Sequence, residues 1–226
     1  ASDVYKRQTI CIHIYTSGDT LSYSENQRSS FTSLRETFQV HGGQLRMSEA
    51  LRAGISRYTF YRARDEGLIE PVARGIYRLS DLPPLGHPDL IAAMSRFPGA
   101  VLCLESALSW HEITTQIPHH VHLAVARGAR LPKLDYPPVL GYRYSEAAFG
   151  AGIEQFHEDG VVLRIYSAEK TLADCFKFRN RMGMEVVLEA LKLYRKRQAP
   201  QFNKVLEYAR VCRVEKVIRP YLEAVL

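Results

Sequence analysis

Residues 47–79 read MSEALRAGISRYTFYRARDEGLIEPVARGIYRL. Gly54 stands where a first helix would end, and Ser56, a residue type favoured at helix N-caps, stands where a second would begin. Gly67 stands where the second helix would end, and Ala73-Arg74-Gly75 suits the turn of a hairpin between two short strands. The stretch therefore predicts two short helices that meet at a tight corner and are followed by a two-stranded wing.

The second of these helices, expected over residues 57–66, has only one apolar side. At 100° per residue, Phe60, Ala63 and Ser56 share the inward face. The side chains that point the opposite way are Tyr58, Tyr61, Arg62 and Asp65, with Arg57 at the flank. Arginine can donate two hydrogen bonds to guanine O6 and N7, and tyrosine can bind a phosphate or contact a thymine methyl. We therefore predict that this face binds DNA through Arg57, Tyr58, Tyr61 and Arg62.

The wing adds one further predicted DNA contact. Arg74 stands at its tip beside Gly75, where a cation can reach a phosphate or the minor groove. Arg78 is expected on the solvent-exposed face of the wing. Two alternatives stay open. In one, Tyr58 or Tyr61 packs against a second domain and the arginines are merely solvated; in the other, the winged fold docks a protein rather than DNA.

Length and composition fit a folded protein of two modest domains. The chain has 226 residues, of which 46% are hydrophobic and 24% charged, and contains no apolar run of the length that a membrane helix needs. The four cysteines are widely scattered, which favours reduced, mostly buried thiols in a cytoplasmic protein over disulfides or a zinc site.

Charge is distributed unevenly along the chain. Residues 31–80 hold eight arginines and five acidic residues, a net +3, and residues 81–169 have a net −4. Residues 170–219 hold 13 basic and five acidic residues, a net +8. Two basic regions suit a polyanion, and 192–197 and 210–219 are candidates for further phosphate contacts. Alternatively, the C-terminal excess is a solvated helix face.

The predicted fold class is α+β, with four segments in chain order. Residues 1–29 are expected to be a non-native or disordered extension, since they show no helical period, and the winged helix-turn-helix follows over 30–80. A Pro-rich and Gly-containing linker is placed at 81–87. Residues 88–226 are expected to form a larger domain with a small antiparallel or mixed sheet and C-terminal helices.

No arrangement of side chains in the sequence supports catalysis. His120 and His122 share one face of a predicted strand and lie beside His119, but no acid or cysteine stands at ligand spacing, so we predict no metal site and no cofactor. Lys170 and Asp174, one helical turn apart, are better explained as a surface or packing pair than as a general acid and base. The prediction is that the protein is not an enzyme.

Several motifs together resemble the AbiEi-type antitoxins. The segments that carry the resemblance are Arg57-Tyr-Thr-Phe-Tyr-Arg62, Val72-Ala-Arg-Gly-Ile-Tyr-Arg-Leu79, Phe97-Pro-Gly-Ala-Val-Leu-Cys-Leu-Glu-Ser-Ala-Leu108, Thr114-Thr-Gln-Ile-Pro-His119, Ser167-Ala-Glu-Lys-Thr-Leu-Ala-Asp-Cys-Phe176 and Arg219-Pro-Tyr-Leu-Glu-Ala-Val-Leu226. The first two resemble that family's winged helix-turn-helix, and the others resemble its C-terminal antitoxin domain. The resemblance spans about Ser30 to Leu226.

The resemblance implies the antitoxin of a type IV toxin–antitoxin pair. It further implies that the winged domain represses its own operon by binding inverted repeats in double-stranded DNA, with a possible dimer on the DNA. The functional partner would be a nucleotidyltransferase-like toxin, which such antitoxins counter without forming a stable complex. The alternative is an interaction module that neutralises a toxin by direct contact and has no DNA sequence specificity.

Overall fold

The structure is a computed structural model that describes residues 25–73, 75–83, 85–130 and 133–225. It combines helices with two separate β-sheets, which confirms the predicted α+β class. Residues 1–24, most of the predicted extension, lie outside the described residues.

The N-terminal part contains three helices and a three-stranded antiparallel sheet. The helices are α1 (Glu25–Val40), α2 (Met47–Arg52) and α3 (Arg57–Asp65), and the strands are β1 (Gln44–Arg46), β2 (Ile69–Ala73) and β3 (Ile76–Leu79). The strand order is β1-β3-β2, so that the two strands of the wing pair with each other and β1 completes the sheet. Three helices with a β-wing have the arrangement of a winged helix-turn-helix, as predicted.

Helix α1 is longer than its apolar stripe. Leu34 and Phe38 are fully buried, and the helix ends at Gly42 and Gly43, both of which have positive φ. The sequence predicts its start near residue 32, where the apolar stripe begins, but the helix starts at Glu25, within the predicted extension. The additional residues include Glu, Gln and Arg, which are residue types of high helix propensity.

Within the described residues, the C-terminal part contains five strands and eight helices. The strands are β4 (Val101–Leu102), β5 (Val121–Ala126), β6 (Val139–Tyr144), β7 (Ile153–Glu158) and β8 (Val161–Tyr166). The helices are α4 (Pro88–Arg96), α5 (Leu104–Trp110), α6 (Glu146–Gly150), α7 (Ala168–Lys177), α8 (Arg179–Met182), α9 (Met184–Arg195), α10 (Phe202–Val211) and α11 (Glu215–Val225). The strand order β6-β5-β4-β8-β7 includes parallel and antiparallel pairs, so the sheet is mixed.

The segment Glu158-Asp159-Gly160 predicts a tight hairpin turn, and this turn joins β7 to β8. Glu158 pairs with Val161, and both loop residues have positive φ, +48° at Asp159 and +76° at Gly160. This backbone is typical of a two-residue type I′ turn, which Asp-Gly favours. By contrast, β1 and β4 were not predicted, because two or three residues are too few to show a strand period.

The five-stranded sheet is covered by helices on both faces. Alternate residues of a strand point to opposite faces, and on β5 Ala124 packs into one buried cluster while Leu123 and Val125 pack into another. The first cluster joins the sheet to α5, α7, α9, α10 and α11, and the second joins it to α4. The sheet therefore forms a middle layer between α4 and the C-terminal helices.

A third buried cluster, drawn from residues 34–79, forms the core of the N-terminal part. The two parts touch through polar contacts: Gln44 Nε2 donates to Ser95 Oγ at 3.3 Å, and the guanidinium of Arg46 donates to the backbone oxygen of Ser95. Gly42 lies against Gly160, where a Cβ built on either glycine would meet backbone atoms at 3.2 Å. The domain boundaries proposed from the sequence stay a prediction.

Candidate nucleic-acid interface

The corner between α2 and α3 is built by local backbone geometry. Gly54 has φ +93°, a conformation that costs a side-chain-bearing residue free energy, and it turns the chain sharply after α2. The N–H of Ile55 then donates back to the carbonyl of Ala50 at 3.1 Å, and the Ile55 side chain is buried in the corner. These contacts close α2 and set the direction in which α3 begins.

Both ends of α3 are capped. The N–H of Thr59 donates to Ser56 Oγ at 3.0 Å, which confirms the predicted N-cap. At the other end Gly67 has φ +74°, and the N–H of Leu68 donates to the carbonyl of Ala63 at 2.8 Å. The helix is therefore fixed in length at nine residues, Arg57–Asp65.

One side of α3 is anchored in the N-terminal core. Phe60 and Ala63 are fully buried, as predicted. The Phe60 ring meets the Tyr77 ring edge-on, with centroids 4.9 Å apart, and lies 6.4 Å from the Phe38 ring. Because α1 and β3 hold this side, the orientation of the opposite side is fixed as well.

The opposite side of α3 presents aromatic rings and cations to solvent. Tyr58 is 67% exposed and Tyr61 is 41% exposed. Arg57 is also exposed, while the Arg64 guanidinium lies 4.9 Å from the centre of the Tyr61 ring. Tyr58 does not pack against another part of the described chain, so this alternative is wrong for Tyr58.

Arg62 lies at the side of this exposed face rather than at its centre. Its guanidinium forms an ion pair with Glu66, donates to Tyr58 Oη at 3.5 Å and lies 5.8 Å from the centre of the Phe31 ring. The bonds to Tyr58 and Glu66 raise the pKa of Arg62, so the cation is retained. To reach a base, Arg62 must give up its contact with Glu66.

The wing is anchored next to its tip. The N–H of Met47 donates to the carbonyl of Gly75 at 2.9 Å, and Gly75 has φ +76°. Pro71 lies in β2, which is an edge strand and can therefore accept a residue without an N–H. Arg74, the predicted phosphate contact, lies outside the described residues.

The prediction for Arg78 is wrong. Its side chain is 4% exposed rather than on the solvent-exposed face. It donates to the carbonyls of Leu82 and Pro83 and pairs with Glu70 at 3.2 Å. A buried guanidinium must satisfy its donors, and here the chain that leaves β3 folds back over Arg78 and supplies the acceptors.

The histidines do not converge on a metal site. His119 and His120 are exposed, whereas His122 is buried and stacks on Tyr142. Burial lowers the pKa of His122 to about 4. No group of three or more His, Cys, Asp or Glu residues among the described residues could hold a metal ion.

Lys170 and Asp174 form a fully buried ion pair, 2.6 Å apart. Lys170 Nζ lies 4.1 Å from the centre of the Tyr166 ring, and Cys212 Sγ donates to Asp174 at 3.2 Å. All donors and acceptors of the pair face protein atoms. Of the surface pair and the packing pair that the sequence allowed, it is therefore the packing pair.

The buried thiols of Cys103, Cys175 and Cys212 are free, as predicted, and Cys11 lies outside the described residues.

Comparison with known proteins bears on the N-terminal part. Residues 33–80 match the family model described as "Transcriptional regulator, AbiEi antitoxin", which confirms the resemblance for this segment. At the level of the family, the match supports a DNA-binding antitoxin with a regulatory rather than an enzymatic role. No curated protein matches the chain.

Among solved structures, the chain is similar to the Rv2827c protein from Mycobacterium tuberculosis. The two share 12% sequence identity with a TM-score of 0.44, and the match covers 83% of this chain and 78% of that one. Within the described residues, no helix has the length and apolarity needed to span a membrane.

Proposed function

We propose that the protein is a sequence-specific DNA-binding repressor that regulates its own operon as the antitoxin of a type IV toxin–antitoxin pair. The observation that carries the proposal is the two-sided character of α3. Phe60 and Ala63 fix one side in the core, while Arg57, Tyr58 and Tyr61 face solvent on the other. An anchored helix with exposed arginine and tyrosine side chains suits recognition of DNA.

The dimensions of α3 support insertion into the major groove. A helix with its side chains is about 10–12 Å in diameter, and the major groove is about 12 Å wide, so α3 can lie in it. Tyr58 and Tyr61 are three residues apart and therefore lie on the same side of the helix. In this proposal Arg57 and Arg62 read base edges, and the two tyrosines bind phosphates or thymine methyls.

The wing and the symmetry of the operator complete the proposed complex. Arg74 would bind a backbone phosphate next to the groove that α3 occupies. Two protomers on an inverted repeat would place two copies of α3 one helical turn of DNA apart. The functional partner is a nucleotidyltransferase-like toxin that is countered without a stable complex, and the protein acts in the cytoplasm.

Substituting an arginine that contacts bases and substituting one that contacts phosphate should change DNA binding in different ways. Arg57→Ala and Arg62→Ala are expected to weaken binding to the promoter DNA by about 1–3 kcal/mol and to relax its sequence preference. Arg74→Ala is expected to weaken binding to all sequences alike and to lower the slope of log K against log salt by about 1. Fluorescence anisotropy with promoter and scrambled duplexes at several salt concentrations measures both effects.

Lys204→Ala is the control, because Lys204 is an exposed cation on α10, outside α3, the wing and the basic segments 192–197 and 210–219. It should bind like the wild type. If the three interface variants bind the promoter as tightly as this control, α3 and the wing do not contact DNA.

A protein-docking role is the second candidate, and the exposed tyrosines favour it as well. Tyr58 and Tyr61 are of the residue type that is enriched at protein interfaces. In that case the toxin would co-purify with the wild type at high salt, and a Tyr58→Ala/Tyr61→Ala variant would lose it. Co-purification without promoter binding would replace the repressor proposal with this one.

A further inference from the structure

A cavity of about 440 Å³ lies on the C-terminal part, away from α3. Four of its lining side chains are cations from four different elements. Arg127 follows β5, Arg143 lies in β6, Lys177 ends α7, and Arg213 stands in the turn between α10 and α11. The remaining lining residues are Ser145, Val211 and Cys212, so no acidic side chain of the described residues lines the cavity.

None of these four cations forms an ion pair with a carboxylate within the described ranges. Other arginines nearby do: Arg210 and Arg219 both bind Glu215, at 3.1 and 2.5 Å. Lys177 is half-buried, with Nζ 5.4 Å from the centre of the Tyr144 ring. Like charges that share one concave surface repel one another, and an anion in the cavity would remove that repulsion.

Arg213 occupies a backbone position that normally favours glycine. It has φ +60°, and the N–H of Val214 donates back to the carbonyl of Ala209 at 2.8 Å, as at the end of a helix closed by a Schellman motif. An arginine in this left-handed conformation costs stability that a glycine would not. The strained backbone places a guanidinium at the cavity.

We propose that this cavity binds a phosphate-bearing small molecule of about nucleotide size. Arginine binds phosphate through paired hydrogen bonds, and several converging cations suit a pyrophosphate or polyphosphate group. Ser145 adds a hydroxyl donor at the same surface. The volume lies within the range of small-molecule sites, and a concave site admits a free phosphate group more readily than the backbone of a continuous duplex.

The test is calorimetric titration of the full chain with inorganic pyrophosphate and with ADP. Both are expected to bind the wild type, and Arg213→Gly and Arg143→Ala should each weaken binding at least about tenfold. Arg213→Gly also relieves the left-handed strain, so its thermal unfolding temperature should be equal to or higher than that of the wild type. If Arg213→Gly loses binding but not stability, the loss of binding is due to the missing guanidinium and not to unfolding. Lys204→Ala, which removes an exposed cation outside the cavity, should bind like the wild type.

Three results would overturn the proposal. The first is that neither pyrophosphate nor ADP shows saturable binding, and the second is that the wild type and Arg213→Gly bind these ligands equally. The third is weaker promoter binding by Arg213→Gly in the absence of any small-ligand binding, which would make the cavity a contact for duplex DNA. The α3 and wing variants test the proposed repressor separately, so the failure of one proposal is distinguishable from the failure of the other.

Discussion

His122 is a neutral side chain inside the five-stranded sheet. Its burial, with a smaller contribution from His120, lowers its pKa to about 4. The carboxylate of Glu105 lies 3.6 Å from Nε2, too far for a hydrogen bond, and the Tyr142 ring stacks on the imidazole at 5.4 Å. The folded protein therefore binds a proton at His122 only well below the pH at which the unfolded chain does.

This difference in proton binding predicts acid sensitivity. Between pH 6.5 and about 4 the unfolded chain holds more protons at position 122, so stability falls as the pH falls through that window. Between pH 7.5 and 5 the wild type is expected to lose about 2 kcal/mol more free energy of unfolding than His122→Phe. Urea denaturation at the two pH values measures the difference.

Phenylalanine keeps the ring stacked on Tyr142 and removes only the titrating group. The pKa of His111 is also lowered by burial, but His111 is present in both proteins and its contribution cancels. Equal losses in the two proteins would show that His122 titrates normally.

At the scale of elements, the corner between α2 and α3 decides how the recognition helix is presented. Ser56 caps α3 through its side-chain oxygen. Ser56→Ala is expected to lower the free energy of unfolding by about 1 kcal/mol, because the N–H of Thr59 loses its acceptor. The midpoint of urea unfolding measures this loss.

Ser48→Ala is the control, because Ser48 is exposed in the first turn of α2, a helix that begins at Met47, and is not its N-cap. It should leave stability unchanged or raise it slightly, since alanine is the better helix former. If the two variants are equally stable, the cap does not hold α3.

For the whole molecule, the decisive contact is the docking of the N-terminal part on the β7–β8 turn. A Cβ built on Gly160 would lie 3.2 Å from the carbonyl oxygen of Gly42 and 3.3 Å from that of His41. Gly160→Asn keeps the positive φ that the type I′ turn requires, since asparagine tolerates it. Through the docking contact it is therefore expected to cost about 1 kcal/mol more than the same substitution at a positive-φ glycine that has no close neighbour.

Gly128→Asn is the matched control, because Gly128 also has positive φ, +91°, but no atom of the described residues lies within 4 Å of its built Cβ. It should carry only the cost of placing asparagine at a positive φ. Calorimetry of both variants compares the two costs directly, and equal costs would mean that the glycine-to-glycine approach is not a constraint.

Most regular elements could be predicted because their signals are local. Apolar periodicity predicts helices over 202–211 and 215–225, and α10 and α11 have these bounds. The Asp159-Gly160 hairpin follows from turn chemistry alone. The inward face of α3, Phe60 with Ala63, also follows from helical spacing. In each case the interacting residues lie within a few positions of one another.

The sequence by itself determined the winged helix-turn-helix, the α+β class and which side of α3 faces outward. Only the tertiary structure decided that Arg78 is buried, that Lys170 and Asp174 pair without access to solvent, and that Arg127 and Arg213 line one cavity. The physical reason is distance along the chain: capping, turns and periodicity act between neighbours, whereas burial and converging charge depend on segments brought together by packing.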